Sequence, residues 1–226
     1  MNTSAIVCAY NEEQTIKGVV EGLLSSSYID EIILVDDGST DNTSKIMAGF
    51  SNNHYVKNIR LHKNCGKGFA LYTGIKKAKG DILVFFDADV DNIKNEHIHS
   101  LIQPLIEKSA DMVIGWPVTN YKSDVSLNIF KKFAGERALF KKDIYPLLPR
   151  IRKAGYGIEA ILWMYYSNEN KHIKSVMLYG LKHFVKTAKA TKRTAINGYS
   201  RETGQILKAL VKNYGLFFIF LLRELK

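Results

Sequence analysis

Short apolar runs punctuate the first half of the chain, at residues 3–9, 31–35, a weaker one at 56–61, and 81–86. None alternates cleanly between apolar and polar positions, so each predicts a strand covered on both faces, as in a parallel sheet. Between them, apolar positions recur at helical spacing. They predict helices from the polar turn Asn11-Glu12-Glu13 to about Ser26, after the turn and cap residues Gly38-Ser39-Thr40-Asp41, and from about Phe69 to Lys79. A helix near 95–107 and a strand near 111–115 continue the series. This alternation implies an α/β fold with a mostly parallel central sheet flanked by helices. Right-handed crossovers then bring the carboxyl ends of the strands, with their polar loops, to one edge. Ligands of such sheets bind at that edge.

Beyond Asn120 the strict alternation is lost and aromatic and basic residues increase. We expect a helix over 124–137, another starting at Gly155-Tyr156-Gly157-Ile158-Glu159, a strand over 171–178 and a long final helix over 205–222. That last helix has one apolar face, including Leu210, Phe217 and Leu221, with Lys208 and Lys212 opposite. Such a face packs on the domain, on a second copy in a homodimer, or on an anionic membrane surface. The halves 1–120 and 121–226 are read as parts of one continuous domain.

Charge sharpens the division. The net charge of +10 conceals 11 Lys+Arg against 15 Asp+Glu in residues 1–120, and 21 against 7 in residues 121–226. The first half is therefore acidic and the second strongly basic, as befits a surface meeting a phosphorylated or lipid acceptor or an anionic membrane. Nucleic acid is disfavoured, because no recognition motif accompanies the charge. With 226 residues, 46% of them hydrophobic, the chain can bury a sizeable core, and disorder is not indicated. Cys8 and Cys65 make no disulfide framework or zinc spacing and read as reduced thiols. The start lacks the pattern of a signal peptide, and the longest apolar run, 216–222, is too short to span a bilayer. The expected location is cytoplasmic, with peripheral association at the inner membrane face.

Chemistry concentrates where the buried strands end. The 81–86 strand stops at Asp87-Ala88-Asp89, a carboxylate pair suited to a hard divalent cation shared with a diphosphate. Asp89-Val90-Asp91 is an overlapping copy, but the first pair begins at the strand end. The second strand stops at Asp36 and Asp37. Asp37 has the acceptor geometry to read a uracil or guanine edge, whereas Asp36 also suits a plain end-of-strand acid. Glu12 can hold ribose hydroxyls or simply favour a helix N-terminus. Gly66-Lys67-Gly68 lets backbone approach an anion while Lys67 neutralises charge. Glu159 is the candidate general base for an attacking hydroxyl, a role that vanishes if the acceptor oxygen is already anionic. Lys182, Lys186, Lys189 and Arg193 recur at helical spacing and could clamp phosphate. Basic residues flanking Tyr145-Pro146-Leu147-Leu148-Pro149 suggest a mobile acceptor loop.

Four of these segments, in order, resemble family 2 glycosyltransferases of the GT-A fold: Val7-Cys8-Ala9-Tyr10-Asn11-Glu12, Val35-Asp36-Asp37-Gly38-Ser39-Thr40-Asp41, Asn64-Cys65-Gly66-Lys67-Gly68 and Asp87-Ala88-Asp89. The resemblance covers roughly residues 3–190. It implies that Ala9, Tyr10, Glu12, Asp36, Asp37, Lys67, Gly68, Asp87 and Ala88 bind a UDP- or GDP-sugar. It further implies that Asp89 and Asp87 hold Mn²⁺ or Mg²⁺, and that His183, after Leu178-Tyr179-Gly180-Leu181-Lys182, is similar to a terminal metal-binding histidine. The Gly-Tyr-Gly-Ile-Glu segment also looks like one in glucosyl-phosphoglycerate synthases, so inverting and retaining outcomes both stay open. The expectation is a metal-dependent hexosyltransferase acting on a lipid or polyprenyl phosphate. The alternative acceptor is a small phosphorylated one such as phosphoglycerate. A nucleotidyltransferase, or a nucleotide-sugar-binding module without turnover, is the rival from another class. A nucleotidyltransferase usually has a glycine-rich first loop, absent between Ala9 and Glu13.

Overall fold

Strands β1 (Thr3–Ala9), β2 (Glu31–Asp36), β3 (Val56–Arg60) and β4 (Ile82–Asp87) alternate with helices α1 (Ile16–Leu24), α2 (Thr43–Ala48) and α3 (Lys67–Lys77). They are followed by β5 (Val90–Asp91), α4 (Asn95–Ile106), β6 (Met112–Val118), β7 (Arg137–Phe140), the short helices α5 (Lys141–Ile144) and α6 (Leu148–Ile151), α7 (Ile158–Asn168), β8 (Ile173–Tyr179) and β9 (Lys182–His183). This computed structural model describes residues 1–118, 134–155 and 157–184. The final helix expected over 205–222, and Lys186, Lys189 and Arg193, lie outside the described residues.

Seven strands form one sheet in the order β3-β2-β1-β4-β7-β6-β8. Neighbours pair in parallel except at β7, which runs antiparallel to both β4 and β6. The fold is thus the expected mostly parallel α/β sheet, with strands from both sides of Asn120 in it. Because the strands are covered on both faces, their alternate residues feed two separate cores. Ala5, Val7, Ile32, Leu34, Val84 and Phe86 face α1 and α4, while Ile6, Ile33, Val35, Leu83 and Phe85 face α3, α6 and α7. Each such fully buried Val, Leu, Ile or Phe side chain stabilises the fold by roughly 1.5–3 kcal/mol. This explains why the strands read as continuous apolar runs.

Three expectations fail. The helix expected over 124–137 does not reach its end, since Arg137–Phe140 is strand β7, paired Phe85↔Arg137 with β4 and Ile114↔Arg137 with β6. The Tyr145–Pro149 segment is not a mobile loop. A 3-10 turn over Tyr145–Leu147 runs directly into α6, and Leu147, Leu148 and Ile151 are buried in the core against α3. Its prolines sit in the first turns, where their missing N–H costs nothing. Finally, Lys182 cannot begin a basic helical face. It lies in β9, which pairs with β5 as a second, two-stranded sheet in the register Val90↔His183 and Asp91↔Lys182.

Candidate active site

The register places the ends of β1, β2 and β4 side by side: Ala9 pairs with Asp36 and Cys8 with Asp87. The loops that leave these ends are stitched to one another. Asn11, in the left-handed region at φ 57°, accepts the Thr40 N–H at 2.9 Å and donates its own N–H to Ser39 Oγ at 3.0 Å. The Glu12 N–H donates to Thr43 Oγ1 at 2.7 Å, and Glu13 accepts from Asn42. Tyr10 projects from this rim, 40% exposed.

Asp36 and Asp37 have separate tasks. Asp36 is buried, accepts the Ser39 N–H at 2.9 Å and meets Arg60 at 3.4 Å, so it is committed to closing its own turn. Asp37 donates its N–H to the Ala9 carbonyl at 2.8 Å, and its carboxylate oxygens accept the N–H groups of Cys65 and Gly66, each at 2.8 Å. Burial raises the Asp37 pKa; the two N–H groups oppose the rise and the neighbouring Asp36 charge adds to it. Each oxygen retains a second lone pair for a ligand donor. By gripping Gly66, Asp37 also fixes the start of α3, whose first residues are Lys67 and the buried Gly68.

Lys67 reaches the end of β4, with its Nζ 2.8 Å from Asp87 Oδ1 and 2.9 Å from Glu159 Oε1. Burial disfavours the ammonium, but Asp87 and Glu159 outweigh it and hold Lys67 well above the ordinary lysine range. Burial likewise opposes the Asp87 carboxylate. Lys67 prevails, helped by His183 and Arg137, and keeps the Asp87 pKa low. The other Asp87 oxygen packs against Gly135, where an added Cβ would fall 2.1 Å from Oδ2, so any side chain there would displace the carboxylate. Glu159 stands in the first turn of α7. Arg137, buried at the start of β7, donates to the Ala134 carbonyl. A small cavity of about 20 Å³, space for about one water, lies behind this group between Cys8, Asp87, Arg137, Glu159 and apolar side chains of α3 and α7.

Ala88 is buried, and beyond it the chain emerges at Asp89, whose side chain is 35% exposed. The β5–β9 ladder brings His183 beside it: the Phe184 N–H donates to the Asp89 carbonyl at 2.7 Å, and His183 Nδ1 lies 3.5 Å from Asp89 Oδ1. The ring's other nitrogen, Nε2, lies 3.6 Å from the buried Glu136. The carboxylates of Asp89 and then of Glu136 raise the His183 pKa to about 10, against an opposing effect of burial. Lys182 is exposed on the outer side of this ladder.

A continuous line of contacts therefore runs from Asp37 through Gly66, Lys67 and Asp87 to Asp89, His183 and Glu136. Sequence reasoning singled out all of these but Glu136, and it read Arg137 only as a basic flank of an acceptor loop, not as a buried neighbour of Asp87 and Glu159. A buried Glu-Arg pair at a strand start carries no pattern of its own. The signal is lost because the residues before it read as helical.

Comparison with known proteins identifies the family and the fold. The family described as Glycosyl transferase family 2 matches residues 4–142. The chain is 41% identical to the UDP-N-acetylglucosamine--dolichyl-phosphate N-acetylglucosaminyltransferase of Methanococcus voltae, over 56% of this chain and 56% of that protein. It is 35% identical to the undecaprenyl-phosphate 4-deoxy-4-formamido-L-arabinose transferase of Proteus mirabilis, over 41% of this chain and 30% of that one. It thus spans only about half, or less, of these relatives' length. Among solved structures, glucosyl-3-phosphoglycerate synthase from Mycobacterium tuberculosis, in complex with Mn²⁺, UDP and glucosyl-3-phosphoglycerate, superposes with a TM-score of 0.71 at 22% identity, covering 95% of this chain and 80% of that one. This last likeness is one of fold. By its match over more than half its length, the chain belongs to glycosyl transferase family 2.

Proposed function

We propose that this protein transfers a sugar from a nucleotide diphosphate sugar to a lipid phosphate of the polyprenyl type, with a divalent cation held at Asp89. The observation that carries the choice of acceptor is the ion pair between Glu159 and Lys67 at 2.9 Å. A general base needs a carboxylate able to receive a proton, and this one is 12% exposed and engaged by an ammonium. A phosphate acceptor oxygen is already anionic and needs no base. The relatives from Methanococcus voltae and Proteus mirabilis, both named for lipid-phosphate acceptors, support the same reading.

In this scheme Asp37 reads the base, the Tyr10–Glu12 loop borders the ribose, and the diphosphate lies over the start of α3. Lys67, anchored between Asp87 and Glu159, presents positive charge to it. The acceptor oxygen attacks the anomeric carbon as the bond to the β-phosphate oxygen breaks, and the nucleoside diphosphate departs. The residues fit a cation. Asp89 is half-exposed, His183 faces it, and among the described residues no group of three or more acidic, histidine or cysteine side chains converges to hold an ion alone. That suits Mg²⁺ or Mn²⁺, which keep water and share phosphate oxygens. Bound there, the cation would supply charge that stabilises the leaving diphosphate. No helix among the described residues is long and apolar enough to cross a membrane.

The test is nucleotide release from a panel of UDP- and GDP-sugars with Mn²⁺, supplied with either polyprenyl phosphate or phosphoglycerate. Release with the lipid only is expected. Release with phosphoglycerate only would assign the small phosphorylated acceptor instead, and pyrophosphate formation from a nucleoside triphosphate would assign nucleotidyl transfer.

A further inference from the structure

Glu136, the residue just before β7, has 0% exposure. Its backbone is fixed, since its carbonyl accepts the Gly115 N–H of β6 at 2.8 Å. Yet neither carboxylate oxygen has a hydrogen-bond partner among the described residues. A dry, unbonded carboxylate is strongly unfavourable, and a fold that retains one has placed it against something. Arg137 is the obvious counter-ion, but its guanidinium donates to the Ala134 carbonyl and its Nη1 makes no hydrogen bond. The polar atom that faces Glu136 is His183 Nε2 at 3.6 Å, on the ring whose Nδ1 lies 3.5 Å from Asp89 Oδ1.

We infer that Glu136 is a positioning residue for the cation site: its carboxylate accepts the Nε2–H of His183 and so turns the Nδ1 lone pair toward the ion that Asp89 holds. A metal-bound histidine commonly gives its second N–H to a carboxylate, which fixes ring orientation and raises ligand basicity. Here β9 delivers the ring through its ladder with β5, while β7 delivers the carboxylate from the main sheet. Two elements distant in sequence thus clamp one imidazole. The inference rests on the reading of Asp89 as a cation site.

The experiment measures Mn²⁺ affinity by electron paramagnetic resonance of the free ion, with UDP present, alongside the melting temperature of the metal-free protein. Glu136→Gln is expected to weaken Mn²⁺ by about 10- to 100-fold. In the metal-free protein it should lower the melting temperature only while His183 is present to lose its partner. A residue that merely held the fold together would lower it equally without His183. In a His183→Ala background, Glu136→Gln should therefore change the affinity no further and not lower the melting temperature. An affinity within about twofold of the parent, or an equal loss of affinity or of melting temperature with and without His183, overturns the proposal. Should Glu136→Gln not fold, Glu136→Asp keeps the charge but withdraws it by one methylene. Several-fold weaker Mn²⁺ binding is then expected, and unchanged binding overturns the proposal. Absence of Mn²⁺ binding by the unaltered protein would overturn the cation reading itself, a result distinct from all of these.

Discussion

Asp87 and Asp89 stand two residues apart in one motif, yet their surroundings are opposite. Asp87 sits in a balanced cluster, its charge and that of Glu159 met by Lys67 and by buried Arg137. Asp89 sits in a deficient one, where two carboxylates, its own and that of Glu136, share a single imidazole. A cluster whose charges already cancel gains little from a further cation, whereas one with surplus negative charge in a partly desolvated place draws it strongly. The pair therefore divides its labour. Asp87 anchors a lysine, and in the proposed reading Asp89 is left for the ion.

The largest expected break comes from Asp89→Ala, which should lower transfer by at least about 10²–10³-fold, the scale of losing one electrostatic stabiliser of the transition state. Steady-state rates with saturating donor would show it, and near-normal turnover would place the cation elsewhere. Lys67→Met attacks the other cluster by leaving Asp87 and Glu159 with only the Arg137 charge to offset them. It should destabilise the fold by about 3 kcal/mol in urea unfolding, an effect that Asp89→Ala should not produce. Glu159→Gln sharpens the acceptor assignment. With a phosphorylated lipid, transfer should fall by less than about tenfold and donor binding should hardly change, whereas a loss of about 10²–10⁴ would restore the role of general base.

The smallest effect is one of pH. His183 has its pKa raised from 6.5 to about 10 in the folded, metal-free protein. Its contribution to stability is therefore fully present below the unfolded value and disappears as pH rises through the folded one. The difference in melting temperature between the unaltered protein and His183→Ala should shrink steadily between these limits. Added Mn²⁺ should bind more tightly as pH rises over the same range, because the ion needs the neutral ring.

The sequence by itself determined the sheet and its edge. The apolar runs at β1, β2 and β4 are uninterrupted because helices cover both faces, and each ends in polar residues because there the chain leaves the core. That is local information, so Asp37, Lys67, Asp87 and Asp89 were legible without coordinates. What only the tertiary structure decided is the pairing across the chain. Nothing near Lys67 in sequence says that its ammonium meets Glu159, ninety-odd residues on, or that Asp36 spends its carboxylate on Ser39 and Arg60. Strand β7 was hidden because Arg137–Phe140 is only four residues long and its antiparallel place depends on partners on both sides. The same holds for β9, two residues that take up strand geometry only because Val90 and Asp91 offer an edge. Periodicity needs several residues to register, whereas a ladder needs only a neighbour. The burial of Glu136 behind His183 follows from two such ladders at once, so it could be seen only when both were in place.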